Sequence, residues 1–198
     1  MGLTRYFCMG AIAVLSLLSF STHAKVQPDN PFPKVKLVTT QGEIVVELNR
    51  LRAPLTVDNF LQYVQAGSYN GTIFHRIVPG FVVQGGGYDA QFSPRDDFGP
   101  IPNESGNGLK NVYGTIAMAR ENDPHSATRQ FFFNMNDNES LDPGSRWGYT
   151  VFGWVVSGEA VLEEMASLST APFHQPTGWE DVPLEPPVLE KIEILPQP

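Results

Sequence analysis

Short apolar runs set apart by glycine and proline fill most of this chain. Proline interrupts helices and cannot donate to a β-ladder, and glycine fits the tight turns between strands. With 18 glycines and 17 prolines in 198 residues, a helical bundle is disfavoured and many short strands are expected. Lys34–Thr40 and Glu43–Asn49 alternate apolar and polar residues around Gln41-Gly42, which predicts a hairpin. Further strand-like runs stand at Ile73–Val78, Phe81–Gln84, Thr115–Ala119, Phe131–Met135 and Val151–Val155. Ile192 and Ile194 alternate with Lys191 and Glu193 in a last strand. Helical spacing holds at only two places. Val57, Phe60, Leu61 and Val64 recur between Thr56, the expected N-cap, and Gly67, the expected stop. Val161, Leu162, Met165 and Leu168 predict a second helix. The residues alone therefore predict one domain, mostly antiparallel β, with two helices. Gly85 to Val112 has no period, and so long a loop in a compact domain is expected to serve a binding groove.

The first 24 residues follow a different pattern. Arg5 precedes an apolar or small run from Phe7 to Phe20, and Thr22-His23-Ala24 offers small residues for cleavage. This is the pattern of a secretory signal peptide, and the apolar run is shorter than a membrane span requires. Lys25–Pro33, polar and proline-rich, is expected to link the leader to a domain over residues 34–195. Cys8 is the only cysteine and lies in the leader, so the processed chain has neither a disulfide nor a catalytic thiol.

Charge narrows the partners. The chain has 13 basic and 21 acidic residues, and loss of Arg5 makes the balance more negative still. A phosphate-binding surface needs the opposite sign, so no nucleic-acid partner is expected. His75, His125 and His174 lack metal-ligand spacing, and no metal or cofactor is expected. Gly85-Gly86-Gly87 is not followed by the Lys-Ser/Thr of a phosphate loop, so a close turn is its expected role. His125 and Ser126 are adjacent without a strained nucleophile turn and do not read as a hydrolase pair.

Two dense segments carry the chemistry: Phe74-His75-Arg76-Ile77-Val78-Pro79-Gly80-Phe81-Val82-Val83-Gln84-Gly85-Gly86 and Ser126-Ala127-Thr128-Arg129-Gln130-Phe131-Phe132-Phe133-Asn134. Gly114–Arg120 and Gly148–Gly153 fall between and after them. In this order the four blocks resemble the cyclophilins, the family of peptidyl-prolyl cis-trans isomerases. The resemblance covers about Pro33 to Leu195. It implies a closed eight-stranded antiparallel β-barrel with two covering helices. Tyr149, where the best-known eukaryotic members have histidine, together with Gly85-Gly86-Gly87 and Asp137-Asn138, is similar to the exported bacterial members. The expected compartment is therefore the periplasm, with the extracellular medium as the alternative. No membrane attachment is expected after cleavage, and the chain is expected to act as a monomer.

The reaction implied is rotation about an X–Pro bond. Conjugation sets its barrier at ~18–20 kcal/mol. Acceleration by ~10⁴ requires about 5.5 kcal/mol. In the twisted transition state the prolyl nitrogen loses conjugation and accepts a hydrogen bond better than in the planar ground state, so a donor aimed at it is catalytic. No nucleophile or cofactor is needed. The resemblance implies that Arg76 is that donor, that Gln84 holds Arg76 or the substrate carbonyl, and that Phe132 completes the catalytic set. Phe81, Val82 and Leu141 would grip the proline ring with Phe132, while Ala119, Arg120, Gln130 and Tyr149 would line the groove. Partners would be unfolded or extended proline-containing polypeptides. Ser140 stands where the best-known eukaryotic members have tryptophan, so cyclosporin is expected to bind weakly. His75, next to Arg76, is expected to face the other way as a packed or hydrogen-bonded histidine. The rival reading is a binding module that holds proline-containing segments with little isomerase activity.

Overall fold

The computed structural model describes residues 26–173 and 179–197. The expected leader, Lys25 and His174 lie outside them. β1 (Lys34–Thr39) and β2 (Gly42–Leu48) form the expected hairpin, with Thr39 opposite Gly42, so the turn is Thr40-Gln41, one residue earlier than expected. α1 (Pro54–Gln65) follows, then β3 (Thr72–Ile73), β4 (Arg76–Val78) and β5 (Val82–Gly85). The chain continues through β6 (Thr115–Met118), β7 (Phe131–Asn134), β8 (Val151–Ser157) and α2 (Glu159–Ala166). β9 (Thr170–Phe173), β10 (Trp179–Pro183) and β11 (Val188–Ile194) complete it. β9 and β10 form a separate two-stranded ribbon that no alternating run announced.

The other nine strands form one antiparallel sheet in the order β3-β11-β1-β2-β8-β6-β7-β5-β4. Its two ends, β3 and β4, are consecutive in the chain and only Phe74-His75 separates them, so the sheet curls round on itself. Hydrogen bonds from Ile73 N–H to Tyr88 O (2.9 Å) and from Gly86 N–H to Ile73 O (3.4 Å) cross the seam. The expectation of eight closed strands is corrected in this respect. The run Ile73–Val78 is split into two strands, and the seam carries isolated bonds instead of a continuous ladder.

Alternation divides the barrel wall into two faces. Val83, Ile116, Met118, Phe131, Phe133 and Phe152 point into the main core with Val35, Leu37, Ile44 and Val46. Val82, Ala117, Phe132 and Val151 point to the opposite face and form a second, smaller cluster. α1 packs Phe60 against Phe131 (ring centroids 5.6 Å), Phe152 (5.3 Å) and Tyr69 (5.2 Å). α2 buries Leu162, Met165 and Ala166.

α1 ends as expected, with Gly67 in the left-handed region (φ 64°). Its start corrects the expectation for Thr56. The N-cap position is Ala53, which makes no side-chain cap, and Pro54 opens the helix. Glu104, 48 residues further along, caps it instead. Its carboxylate accepts from Leu55 N–H (3.2 Å), Thr56 N–H (2.8 Å) and the Thr56 hydroxyl (2.7 Å). The long loop is thereby tied to the helix.

Candidate active site

Strand register builds the site. Arg76 of β4 pairs with Gln84 of β5, Gln84 with Phe132 of β7, Phe132 with Ala117 of β6, and Ala117 with Val151 of β8. Directly paired residues share a face, so these five form one row across the outer wall. Phe132 and Val82 are nearly buried there, at 4% and 3% exposure. Phe81, Leu109, Ala119, Leu141 and Tyr149 pack round them. Tyr149 meets Phe132 edge to face, with ring centroids 5.6 Å apart. The arrangement is an apolar hollow with a half-exposed guanidinium at the end of its row of residues.

Arg76 donates from Nη1 to Gln84 Oε1 (3.5 Å), and Gln84 Nε2 donates to Gln130 Oε1 (3.0 Å). Gln130 lies across Gly87, where an added Cβ would come within 2.6 Å of its Cγ. At Gly86 (φ 84°) a Cβ would meet the Phe131 and Tyr69 rings at 2.8 and 3.0 Å. The triple glycine is thus a surface for close approach. Gln84, Gly87, Tyr88, Arg95, Ala119 and Gln130 are among the residues lining a hollow of about 470 Å³, so the long loop does border the groove.

Arg120 is held in place by carbonyls. It donates to Glu121 O (2.7 Å), Trp147 O (2.7 Å) and Gly148 O (3.3 Å), and its guanidinium lies 4.6 Å from the Tyr149 ring centroid. Ser140 is exposed and lines a hollow of about 830 Å³ with Arg120, Trp147 and Tyr149. The structure therefore gathers Arg76, Gln84, Gln130, Phe132, Val82, Phe81, Ala119, Arg120, Leu141 and Tyr149 about one face. His75 is 4% exposed and packs on Tyr88 and Trp179, with ring centroids 4.8 and 5.2 Å away, so it is a packed histidine as expected. It does not turn to the far face: with Arg76, Gln84 and Tyr88 it lines one hollow of about 410 Å³, because Phe74 and Ile77 both enter the core and break the alternation between them.

Several residues escaped sequence reasoning. Asn134 is fully buried in β7 and donates to Asn111 Oδ1 (3.1 Å) and Thr115 Oγ1 (2.9 Å). Asn138 donates to Asn134 Oδ1 and Phe81 O, both at 2.8 Å, and Asn111 donates to Leu141 O and Tyr149 O. This buried network fixes the backbone at three positions round the hollow. The signal was an asparagine ending an aromatic strand run, a residue strands disfavour. Arg129, 2% exposed, donates to Gly86 O, Asp96 O and Ser68 O and pins the long loop. Among the described residues, no three His, Cys, Asp or Glu side chains come together as a metal site.

Comparison with known proteins agrees with this geometry. Residues 34–194 match the family model described as cyclophilin type peptidyl-prolyl cis-trans isomerase/CLD. The chain is 47% identical over 165 residues to the peptidyl-prolyl cis-trans isomerase cyp18 of Streptomyces antibioticus, covering 81% of this chain and 98% of that one. It is 41% identical over 184 residues to peptidyl-prolyl cis-trans isomerase A of Dickeya dadantii, covering 92% and 95%. A crystal structure of a cyclophilin type peptidyl-prolyl cis-trans isomerase from Cryptosporidium parvum superposes with a TM-score of 0.68 at 25% identity, covering 84% of this chain and 99% of that one. A barrel with this row of residues on its outer wall, matched over nearly the whole described chain, belongs to the cyclophilin-type peptidyl-prolyl cis-trans isomerase family.

Proposed function

We propose that this chain is an exported peptidyl-prolyl cis-trans isomerase that speeds X–Pro rotation in extended segments of other exported proteins. The observation that carries the reading is the row Arg76–Gln84–Phe132, which sets a permanently charged donor beside an apolar hollow. The proline ring occupies the hollow formed by Phe132, Phe81, Val82 and Leu141. Arg76 donates to the prolyl nitrogen as it leaves conjugation, and this favours the twisted state over both planar ones. Gln84 holds the guanidinium, and Gln130 holds Gln84. Ala119, Arg120 and Tyr149 form the groove wall along which the substrate backbone lies.

One hydrogen bond from a charged group contributes about 1.5–3 kcal/mol. Arg76 alone therefore falls short of the acceleration needed, and the rest comes from gripping the ring while the carbonyl end turns. Export rests on Arg5, the Phe7–Phe20 run and Thr22-His23-Ala24, and the choice of periplasm rests on the resemblance of Tyr149, Gly85-Gly86-Gly87 and Asp137-Asn138 to exported bacterial members of the family. The protein acts as a monomer.

The test is a protease-coupled isomerisation assay on a short X–Pro peptide. Arg76→Ala is expected to fold normally and to lose about ten- to a hundredfold in kcat/KM. An unchanged far-UV spectrum with near wild-type turnover would sink the mechanism. Absence of isomerisation by the unmodified protein, with peptide binding retained, would leave a holding module instead. In the same assay cyclosporin is expected to inhibit weakly, because Ser140 presents a hydroxyl where an aromatic face would be needed.

A further inference from the structure

Behind Arg76, on the side away from the proline hollow, lies the β9–β10 ribbon. Two aromatic contacts anchor it. Phe173 of β9 stacks on Phe92 of the long loop with centroids 4.4 Å apart. Trp179 of β10 packs on Tyr88 (4.6 Å) and His75 (5.2 Å). The pairing between the two strands is irregular. Trp179 faces Phe173 and Val182 faces Ala171, so Glu180 and Asp181 together oppose the single residue Pro172. Proline has no N–H to give a ladder and is tolerated in sheets at bulges and edges. The extra residue makes a bulge, a feature that bends a strand and re-aims a side chain.

Asp181 is the residue that the bulge turns. Its φ is 39°, in the left-handed region that a non-glycine residue enters at a cost. Its carboxylate Oδ2 then lies 3.8 Å from Arg76 Nε. Each side chain is 40% exposed, so the pair adds little to folding stability. What it does is geometric. Asp181 faces the Nε side of the guanidinium and Gln84 accepts from Nη1, while Nη2 has no partner among the described residues. A planar fork contacted at Nε and at Nη1 has its plane and rotation set, and with them the direction of the Nη2 N–H groups.

We propose that Asp181 is a positioning residue for Arg76: the bulged ribbon holds its carboxylate against Nε, so that Nη2 is the donor offered to the prolyl nitrogen. This rests on the reading of Arg76 as the catalytic donor. Neither the Arg76 row nor the proline hollow contains Asp181; it lines a neighbouring hollow of about 410 Å³ with Arg76, Gln84 and Gln130, and its role is to act through Arg76.

The test uses Asp181→Asn, because asparagine adopts the left-handed region readily and changes the charge with little change of size. Turnover and KM are measured separately on an X–Pro peptide by exchange NMR. Expected is a loss of about three- to tenfold in kcat with KM unchanged. Expected too is no further loss when the substitution is added to Arg76→Ala. In the unmodified protein, ionic strength of about 1 M should lower kcat toward that of the variant, since an exposed pair is screened. A kcat for Asp181→Asn equal to that of the unmodified protein overturns the proposal, as does an equal loss in the Arg76→Ala background. Should Asp181→Asn alter the fold, a salt-insensitive kcat of the unmodified protein overturns it independently. If Arg76→Ala itself retains full turnover, the donor assignment has failed, a result distinct from failure of Asp181 alone.

Discussion

His75 and Arg76 are chain neighbours that border one hollow but differ in exposure. Arg76 points to the half-exposed groove, whereas His75 is buried among Tyr88 and Trp179, and its Nδ1 has no hydrogen-bond partner among the described residues. The imidazole is pulled down to about 4, chiefly by burial; the Ile73 backbone opposes that shift and the Arg76 charge adds to it. An unfolded histidine titrates near 6.5. Between pH ~6.5 and about 4 the unfolded chain therefore binds a proton that the folded chain refuses. The neutral His75 is tolerated in full above pH ~6.5, and stability falls as the pH drops through this window, by up to about 3 kcal/mol. His75→Phe keeps an aromatic ring between Tyr88 and Trp179 and removes the titration. Its melting temperature should decline less than that of the unmodified protein from pH 6.5 to 4. Parallel declines would show that His75 is not the group responsible. Sequence alternation turned this residue away from Arg76, but the break at Phe74-His75 interrupts the alternation, and its burial depends on Trp179, over a hundred residues away, which no local pattern reveals.

At the scale of elements, legibility followed the range of the interactions. The β1–β2 hairpin, β5, β6, β7, β8 and both helices were visible because each writes its period into consecutive residues. β3 and β4 read as one strand, since the break at Phe74-His75 is a property of the barrel seam and not of the local alternation. β9 and β10 were missed: Thr170–Phe173 contains a proline, and the bulge at Glu180-Asp181 destroys the alternation that would have marked β10. The cap of α1 shows the same limit. Thr56 is a good capping residue by type, yet its hydroxyl donates to Glu104 and the helix begins two residues earlier at Pro54. A carboxylate taking two backbone N–H groups at a helix start also meets the positive end of the helix dipole. Glu104→Ala should therefore cost about 1–2 kcal/mol in urea-induced unfolding. Glu104→Gln, which keeps an acceptor without the charge, should recover part of that loss. If both variants unfold at the same urea concentration as the unmodified protein, the long-range cap contributes nothing.

At the scale of the whole molecule, the site residues were legible as a set because the barrel turns sequence spacing into a row, and a resemblance over four blocks supplied the order. The supports of that row were not legible. Asn111, Asn134 and Asn138 meet from three separate segments, and Asp181 arrives from a ribbon the sequence did not announce. The N-terminal segment is a further case. Residues 25–33 were expected to connect, and the described part, 26–33, is also fastened to the body. Arg50, its side chain 10% exposed, donates to Val26 O (2.7 Å), Gln27 O (2.6 Å) and Asn30 O (2.5 Å) while its Nε donates to Asp58 (3.0 Å). Gln27 Nε2 donates to Leu195 O (2.9 Å), joining the two ends of the described chain. Removing one guanidinium thus takes a donor from three carbonyls, of which Gln27 O keeps the Asn30 N–H (3.0 Å), and a group of charge-assisted bonds is worth more than a surface ion pair. Arg50→Ala should lower global stability by about 1–3 kcal/mol. Because the segment forms none of the strands or helices, it should open before the barrel does. Native-state proteolysis with thermolysin, followed by mass spectrometry, should then find cuts within residues 26–33 at protease levels that leave the unmodified protein intact. Isomerase activity should be retained, since no site residue lies in the segment. Equal protection of residues 26–33 in both proteins would mean that the hydrogen bonds of Gln27 and the backbone hold the segment without Arg50.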